Sequence, residues 1–272
     1  MIFAQITDFH LKCDGQLLRD VLDSAATLKA AVQHLNGLDP RPDLVFATGD
    51  LVNHPDENTY QALREQLDEI EMPVYALPGN HDDRDMMRST FGDLGYLPRD
   101  GEFLHYTIED HRLRFIALDT VVPGSVGGEM CAHRLAWLED RLAEEPARPT
   151  VIVMHHPPFV SGLSFMDRYA FAGGEAMEAV VRRYPSVERV IAGHMHRDIT
   201  TRWGGTIAST SASLVFQMSL DLNQDAASSF VLEPPVCSLF RWTEDLGLTG
   251  YTSPIGDFEP RRTFDSQQPE PN

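Results

Sequence analysis

Five apolar runs in this chain each end in residues of the types that bind metal ions. The first three lead into Asp8-Phe9-His10, Gly49-Asp50 and Pro78-Gly79-Asn80-His81-Asp82. The last two lead into His155-His156-Pro157-Pro158 and Gly193-His194-Met195-His196. Each run has the composition of a buried strand, and ligands bind at the carboxyl ends of strands in an open α/β sheet. The pattern predicts an α/β fold in which the five strand ends surround one metal site.

The residues after these strands are sufficient for two metal ions. Carboxylates, an amide oxygen and neutral imidazoles suit Mn(II), Fe(II), Co(II) or Zn(II). A carboxylate has two oxygens, so Asp50 is the natural ligand for two cations to share. Pairs of metal ions about 3.5–4 Å apart usually clamp a phosphoryl group. The predicted ligands are Asp8, His10, Asp50, Asn80, His155, His194 and His196.

Ligands that lie two residues apart are expected to point to one side. Side chains alternate along an extended segment with period two, so Asp8 and His10 are predicted to reach the same metal ion. By the same rule, only one of His155 and His156 faces the site.

Taken in this order, Asp-x-His, Gly-Asp, Gly-Asn-His-Asp, His-His and Gly-His-x-His resemble the motifs of the calcineurin-like metallophosphoesterase superfamily. Within it, the chain is most similar to class III cyclic nucleotide phosphodiesterases and related bacterial glycerophosphodiesterases. The resemblance implies a four-layer α/β/β/α sandwich with a small C-terminal extension, and it assigns His155 rather than His156 to the metal. It places one metal ion on Asp8, His10, Asp50 and His196 and the other on Asp50, Asn80, His155 and His194.

The resemblance also implies a reaction. A hydroxide that bridges the two metal ions would hydrolyse a small phosphodiester, either a 3',5'-cyclic nucleotide such as cAMP or a glycerophosphodiester. The catalytic residues would be Asp50, Asn80 and His81, and His81 either binds a phosphoryl oxygen or protonates the leaving alkoxide. The alternatives are a phosphomonoesterase or protein phosphatase of the same fold, and a non-catalytic metal-binding scaffold.

Counting charges favours a diester substrate. Two divalent ions together with Asp8, Asp50 and a bridging hydroxide leave about one positive charge, whereas a phosphomonoester near neutral pH carries almost two negative charges. No arginine lies inside the five motifs, and Arg84 and Arg197 only flank them.

The bulk properties indicate where such an enzyme works. A net charge of −19 over 272 residues disfavours nucleic-acid polymers as partners. Three cysteines without Cys-x-x-Cys spacing fit a reducing cytoplasm, and no apolar run is long enough to span a membrane. The resemblance adds the expectation of a homodimer or a larger homo-oligomer.

Domain organisation follows from the hydrophobic pattern. We expect a catalytic domain over residues 1–215 and an extension over residues 216–258 that completes a sheet, covers the site or contacts another subunit. Residues 259–272 are polar, which predicts a disordered tail. Residues 161–175 form either a lid over the substrate or an ordinary connecting loop. Helical spacing predicts α-helices over residues 17–35, 56–70, 83–91, 135–142 and 176–184.

Overall fold

The computed structural model describes residues 1–13, 15–256 and 258. No helix in this part of the chain is both long and apolar enough to cross a membrane. The strands are β1 (Ile2–Ile6), β2 (Leu44–Thr48), β3 (Val74–Leu77), β4 (Tyr106–Ile108), β5 (Arg114–Leu118), β6 (Thr150–Met154), β7 (Val187–Ala192), β8 (Ile199–Trp203), β9 (Thr206–Thr210), β10 (Gln217–Met218), β11 (Phe230–Val231), β12 (Val236–Thr243) and β13 (Gly247–Pro254). The helices are α1 (Ser24–Asn36), α2 (Glu57–Leu67), α3 (Arg84–Phe91), α4 (Ala132–Glu144), α5 (Ser164–Asp167) and α6 (Gly174–Val181), with a short 3-10 helix at Gly92–Leu94.

The strands form two large sheets. The first has the order β13-β12-β1-β2-β3, and the second has the order β4-β5-β6-β7-β9-β8. Strands β1, β2 and β3 are parallel, as are β5, β6, β7 and β9. The carboxyl ends of the parallel strands therefore lie at one edge of each sheet, as the sequence pattern predicts.

The two sheets pack face to face through aromatic and branched side chains. The ring of Phe115 in the second sheet lies 5.0 Å from the rings of both Phe3 and Phe46 in the first sheet. Leu28 of α1 belongs to the same cluster, whereas Leu138 of α4 packs on the other face of the second sheet. The predicted four-layer α/β/β/α sandwich is confirmed.

Helix starts follow their capping residues. The side chains of Asp23, Asp56 and Asp83 accept hydrogen bonds from backbone N–H groups in the first turns of α1, α2 and α3. The predicted start of the first helix at residue 17 is wrong, because Arg19 and Asp20 have φ angles of 52° and 59°, which a right-handed helix excludes.

The C-terminal part of the described chain continues the first sheet. β12 pairs antiparallel with β1, and β13 pairs with β12. Two further elements lack a clear signal in the sequence: β8, which forms a hairpin with β9, and the short pair β10–β11. The predicted tail over residues 259–272 lies outside the described residues, and the domain boundary at residue 215 stays a prediction.

Candidate metal centre

The seven predicted ligands lie together where the strands of both sheets end. Asp8, Asp50 and Asn80 follow β1, β2 and β3, while His155 follows β6 and the pair His194 and His196 follows β7. All except Asn80 are buried. The structure thus brings together residues that are up to 188 positions apart, as Asp8 and His196 are along the chain. Their role as metal ligands stays a prediction.

One group of predicted ligands consists of Asp8, His10 and His196, whose potential ligand atoms lie within 4.8 Å of one another. His196 Nε2 is 3.2 Å from Asp8 Oδ1 and 3.1 Å from His10 Nε2. His196 Nδ1 lies 2.9 Å from the carbonyl oxygen of Phe216. A carbonyl only accepts, so Nδ1 carries the hydrogen and, in neutral His196, the Nε2 lone pair faces Asp8 and His10.

A second group surrounds His155. Its Nε2 lies 3.3 Å from Asn80 Oδ1 and 3.5 Å from Asp50 Oδ1. Its Nδ1 donates to the carbonyl oxygen of Thr48 at 2.8 Å. Asp50 joins the two groups, because its Oδ2 lies 3.7 Å from His10 Nε2. The two oxygens of Asp50 thus face opposite halves of the site, as a shared ligand requires.

Several polar atoms in the centre lack the partners that burial demands. Among the described residues, Asp8 Oδ1 and His194 Nε2 are buried without a hydrogen bond. An unpaired buried polar atom is costly unless something else, such as a cation, balances it. The donor set of carboxylates, imidazoles and one amide, with lone pairs directed at one another, therefore fits two divalent ions of the borderline type.

The pKa shifts of the buried histidines and aspartates also fit a site for divalent ions. Burial opposes protonation of His155, but the Asp50 carboxylate outweighs it and raises the pKa of His155 to about 9. Burial lowers the pKa values of His10 and His194 to about 3, against the attraction of Asp50. Burial would raise the pKa of Asp50, yet His155 and His10 hold it well below its usual range. A proton on His155 thus occupies the place of a cation.

The backbone at the ligands is not extended, so the period-two argument for Asp8 and His10 is wrong. Five predicted ligands have φ angles between 43° and 69°, in the left-handed region. They are Asp8, His10, Asp50, His194 and His196. Sharp turns at the strand ends, rather than alternation along a strand, aim these side chains inward.

Two glycines make room for the ligands. A Cβ atom on Gly79 would lie 2.3 Å from Asp50 Oδ1, and one on Gly193 would lie 2.1 Å from Thr7 Oγ1 and 2.8 Å from Asp8 Oδ2. Any side chain at either position would displace a carboxylate. This explains the glycine before Asn80 and the glycine before His194.

His81 lies at the edge of the centre, with its ring 4.7 Å from that of His10. Its Nδ1 donates to the carbonyl oxygen of Asn53 at 2.8 Å, and its backbone N–H donates to Asp50 Oδ1 at 2.8 Å. Nε2 is the nitrogen left to act on a substrate. Asn53 thus holds His81 in place through its backbone carbonyl.

Asp82 holds the loop in place, a role that sequence reasoning missed. Its carboxyl accepts from the backbone N–H groups of Gly79 and Leu51, and from the hydroxyl of Tyr60. The Tyr60 hydroxyl in turn accepts from the backbone N–H of Asp83. The final aspartate of Gly-Asn-His-Asp was the available signal.

Other residues with open roles fall outside the ligand set. His156 Nδ1 lies 2.8 Å from Thr120 Oγ1, and its ring lies 4.7 Å from that of His194, so it packs beside a predicted ligand. Asp119 has a hydrogen-bonding role, since it pairs with Arg84 and accepts from the backbone N–H of Leu104. His105 is buried and accepts from the Asp119 N–H, which is a structural role.

Two clefts approach the centre. A polar cleft of about 670 Å³ is lined by Asn80, His81, His54, Arg88 and Glu102, among others. A second cleft of about 740 Å³ reaches His156 and His194 and includes side chains of residues 159–176. The predicted lid segment thus lines a cleft beside the centre, although whether it moves stays a prediction.

The chain is similar to known phosphoesterases. A family model described as calcineurin-like phosphoesterase matches residues 1–198. The chain is 35% identical to a probable glycerophosphodiester phosphodiesterase of Arcobacter nitrofigilis, over 99% of both chains. It is 29% identical to a 3',5'-cyclic adenosine monophosphate phosphodiesterase of Escherichia coli, over 78% of this chain and 76% of that protein.

The fold is also similar to solved structures. A dimetal phosphatase from Danio rerio superimposes with a TM-score of 0.62 at 18% sequence identity, covering 94% of this chain and 99% of that one. A purple acid phosphatase from yellow lupin gives a TM-score of 0.59 at 16% identity, covering 88% of this chain and 48% of that one. At these identities the likeness concerns the fold alone.

Proposed function

The chain belongs to the calcineurin-like phosphoesterase family, and from that premise we propose that it is a dinuclear metal-dependent hydrolase of small phosphodiesters. The observation that carries the proposal is the meeting of carboxylates, imidazoles and Asn80 at one edge of both sheets, with Asp50 between the two groups. When bound, two divalent ions supply charge neutralisation at phosphorus and activation of the attacking water.

The residues of the chain divide the remaining work. Asp50 lies between both halves of the site and accepts a hydrogen bond from the His81 backbone N–H. It therefore links the positions of the predicted ligands to the position of His81. Asn80 Oδ1 lies 3.3 Å from His155 Nε2, so these two residues would hold the same metal ion. The hydrogen bond from His81 Nδ1 to the Asn53 carbonyl fixes the orientation of the ring and leaves Nε2 available. We therefore assign His81 the protonation of the leaving alkoxide through Nε2.

A diester substrate is favoured over a monoester. The arginines that flank the motifs have other partners: Arg84 pairs with Asp119, and Arg197 donates to the Met218 carbonyl and pairs with Glu233. A site for a dianionic monoester would be expected to add an arginine clamp. The names of the similar proteins support glycerophosphodiesters and cyclic nucleotides as the classes to test.

The metal identity and the setting are finer proposals. The donor set suits Mn(II), Fe(II), Co(II) or Zn(II). Cys13, Cys131 and Cys237 are all free thiols, which supports a reducing compartment such as the cytoplasm. The edge strand β13 exposes Tyr251, which is 53% accessible, and this supports contact with another copy in a homo-oligomer.

The test compares diesters with monoesters in one metal form. We expect kcat/KM for bis(p-nitrophenyl) phosphate to exceed that for p-nitrophenyl phosphate in protein loaded with Mn(II), Co(II) or Zn(II), and EDTA to abolish both activities. A monoester preference in all three metal forms would contradict the diester assignment. If both activities persist after complete removal of metal, the assignment as a metallohydrolase is itself contradicted.

A further inference from the structure

Exposed apolar side chains gather beside the metal centre. Three segments, residues 15–22, 160–169 and 216–232, hold nine of the fifteen large hydrophobic side chains that are exposed in the described part of the chain. We call these three segments the apolar rim. Exposed apolar side chains do not contribute to the solubility of a protein with a net charge of −19. Their gathering in one region therefore indicates a binding surface.

The rim is one continuous surface. Leu18 of the first segment packs with Phe216 of the third, and Met218 packs with both this pair and the cluster of Leu163 and Met166. Leu222 approaches Gly162, since a Cβ atom built there would lie 3.8 Å from Leu222 Cδ2. The three segments therefore support one another around the mouth of the centre.

Phe216 joins the rim to the metal ligands. Its ring lies 4.6 Å from the ring of His196 and 6.0 Å from that of His10. On its outer side the ring lies 5.1 Å from that of Phe230. The guanidinium of Arg19 lies 5.9 Å from its centroid and adds a positive charge at the same place. An ester substituent on phosphorus that points in this direction meets the rim first.

The exposed part of the rim suits a flexible chain better than a flat ring. Phe216 is only 5% accessible, because its faces are already covered, so little ring area remains for stacking. The side chains that do remain exposed are mainly aliphatic, with Val21 at 52%, Leu222 at 67% and Val231 at 38%. Aliphatic surface of this kind gains from burying methylene groups.

We propose that the apolar rim binds an alkyl or acyl chain on the phosphodiester substrate, so that the preferred substrates are diesters of amphiphilic alcohols, such as glycerophosphodiesters that retain one acyl chain. This inference rests on the proposed phosphodiesterase function and specifies its substrate class. The charged phosphodiester lies at the metal ligands, and the chain extends outward over the exposed side chains of Val21, Leu222 and Val231.

The experiment uses p-nitrophenyl alkyl phosphates with methyl, butyl and octyl groups, below their micelle concentrations, and the full-length protein loaded with Mn(II). A fully buried methylene group is worth about fourfold in binding. The rim is open, so each methylene gains less, and we expect kcat/KM to rise on the order of tenfold from methyl to octyl. A series that stays flat would overturn the proposal.

Variants locate the effect. Leu222→Ser and Val21→Ser should each reduce the octyl-to-methyl ratio of kcat/KM about threefold, slightly less than the effect of one fully buried methylene group. Leu246→Ser is the matched control, because Leu246 is 69% accessible and lies in the turn between β12 and β13, at the opposite end of the first sheet. An unchanged ratio in both rim variants would overturn the proposal.

Two further outcomes separate the alternatives. A flat series combined with a lower molecular mass of Leu222→Ser in light scattering would assign the rim to a contact between copies of the chain and overturn the proposal. Absence of turnover for every ester, the methyl ester included, would overturn the phosphodiesterase function itself. Normal turnover of the methyl ester with a flat series overturns only the inference about the chain.

Discussion

Single residues at the metal centre adopt backbone conformations that non-glycine residues rarely adopt. Seven described non-glycine residues have positive φ angles, and five of these are predicted ligands. Each such conformation costs on the order of 1–3 kcal/mol and persists only where the surroundings enforce it. The concentration of strain at Asp8, His10, Asp50, His194 and His196 supports a functional site.

Metal binding should depend on pH through His155. In the metal-free chain the pKa of His155 is raised to about 9, while those of His10 and His194 are lowered to about 3. Below pH 9 an incoming metal ion must displace one proton, so its apparent affinity should rise about tenfold per pH unit between pH 6.5 and 8.5. Anaerobic calorimetry with Mn(II) in buffers of different ionisation enthalpy measures both the affinity and the released proton.

The same shift acts on the stability of the metal-free chain. The pKa of His155 in the folded chain lies above the reference value of 6.5. Its contribution to the free energy of unfolding is therefore fully present below pH 6.5 and is lost as the pH rises through about 9. A metal affinity that is flat between pH 6.5 and 8.5 would contradict a protonated His155 in the metal-free state.

If His81 donates a proton to the leaving group, the effect of His81→Ala on kcat/KM should depend on which group leaves. With an alkyl leaving group, which needs a proton, kcat/KM should fall by about 10²–10⁴. With p-nitrophenolate, which leaves as an anion, the loss should be much smaller. Parallel assays on the two kinds of diester measure the difference, and His133→Ala, which changes an exposed histidine of α4, is the control. Equal losses on both substrates would instead make His81 a phosphate-binding residue.

At the level of elements, the site lies where two sheets end, and one buried ion pair connects the sheets there. Arg84, at the start of α3 after β3, donates to both carboxylate oxygens of Asp119 at the end of β5 and to the carbonyl oxygen of Val121. Asp119 is fully buried. The pair thus fixes the helix that follows His81 against the second sheet.

Removing Arg84 should leave a buried carboxylate without its partner. We expect Arg84→Met to lower the free energy of unfolding by about 3–5 kcal/mol. Arg41→Met breaks the exposed pair of Arg41 and Glu71 and should cost less than about 1 kcal/mol. Urea denaturation of both variants measures the two changes in the free energy of unfolding. Equal changes would show that the buried ion pair stabilises the fold no more than the exposed one.

At the level of the whole molecule, the metal centre connects the two halves of the sandwich. Asp8, Asp50 and Asn80 follow strands of the first sheet, while His155 and His196 follow strands of the second. Metal ions bound between them would hold the sheets together at one edge. Folding and metal binding are therefore expected to be coupled.

Metal should raise the melting temperature. At a free metal concentration of 100 times Kd the stabilisation is about 2.7 kcal/mol per site, because metal binds the folded chain. Thermal unfolding of EDTA-treated protein with increasing Mn(II) measures it. Asp50→Ala removes the shared ligand and should abolish most of the response, whereas Asp245→Ala, which changes an exposed carboxylate in the turn between β12 and β13, should keep it. A full response in Asp50→Ala would contradict the shared ligand.

The sequence alone determined the fold class and the set of residues that meet. Apolar runs that end in ligand residues are local signals, because a buried parallel strand and the turn after it are encoded within about ten residues. The same holds for the caps of α2 and α3, where Asp56 and Asp83 precede the apolar spacing. These features need no knowledge of distant contacts.

Only the tertiary structure decided how these residues are held and what surrounds them. The left-handed turns at Asp8 and His10, the carbonyl of Asn53 behind His81 and the ring of Phe216 against His196 depend on neighbours far along the chain. The pairing of β12 with β1 joins segments more than 230 residues apart. Packing between distant segments outweighs local preference at such places, so no pattern in a short stretch of sequence reports it.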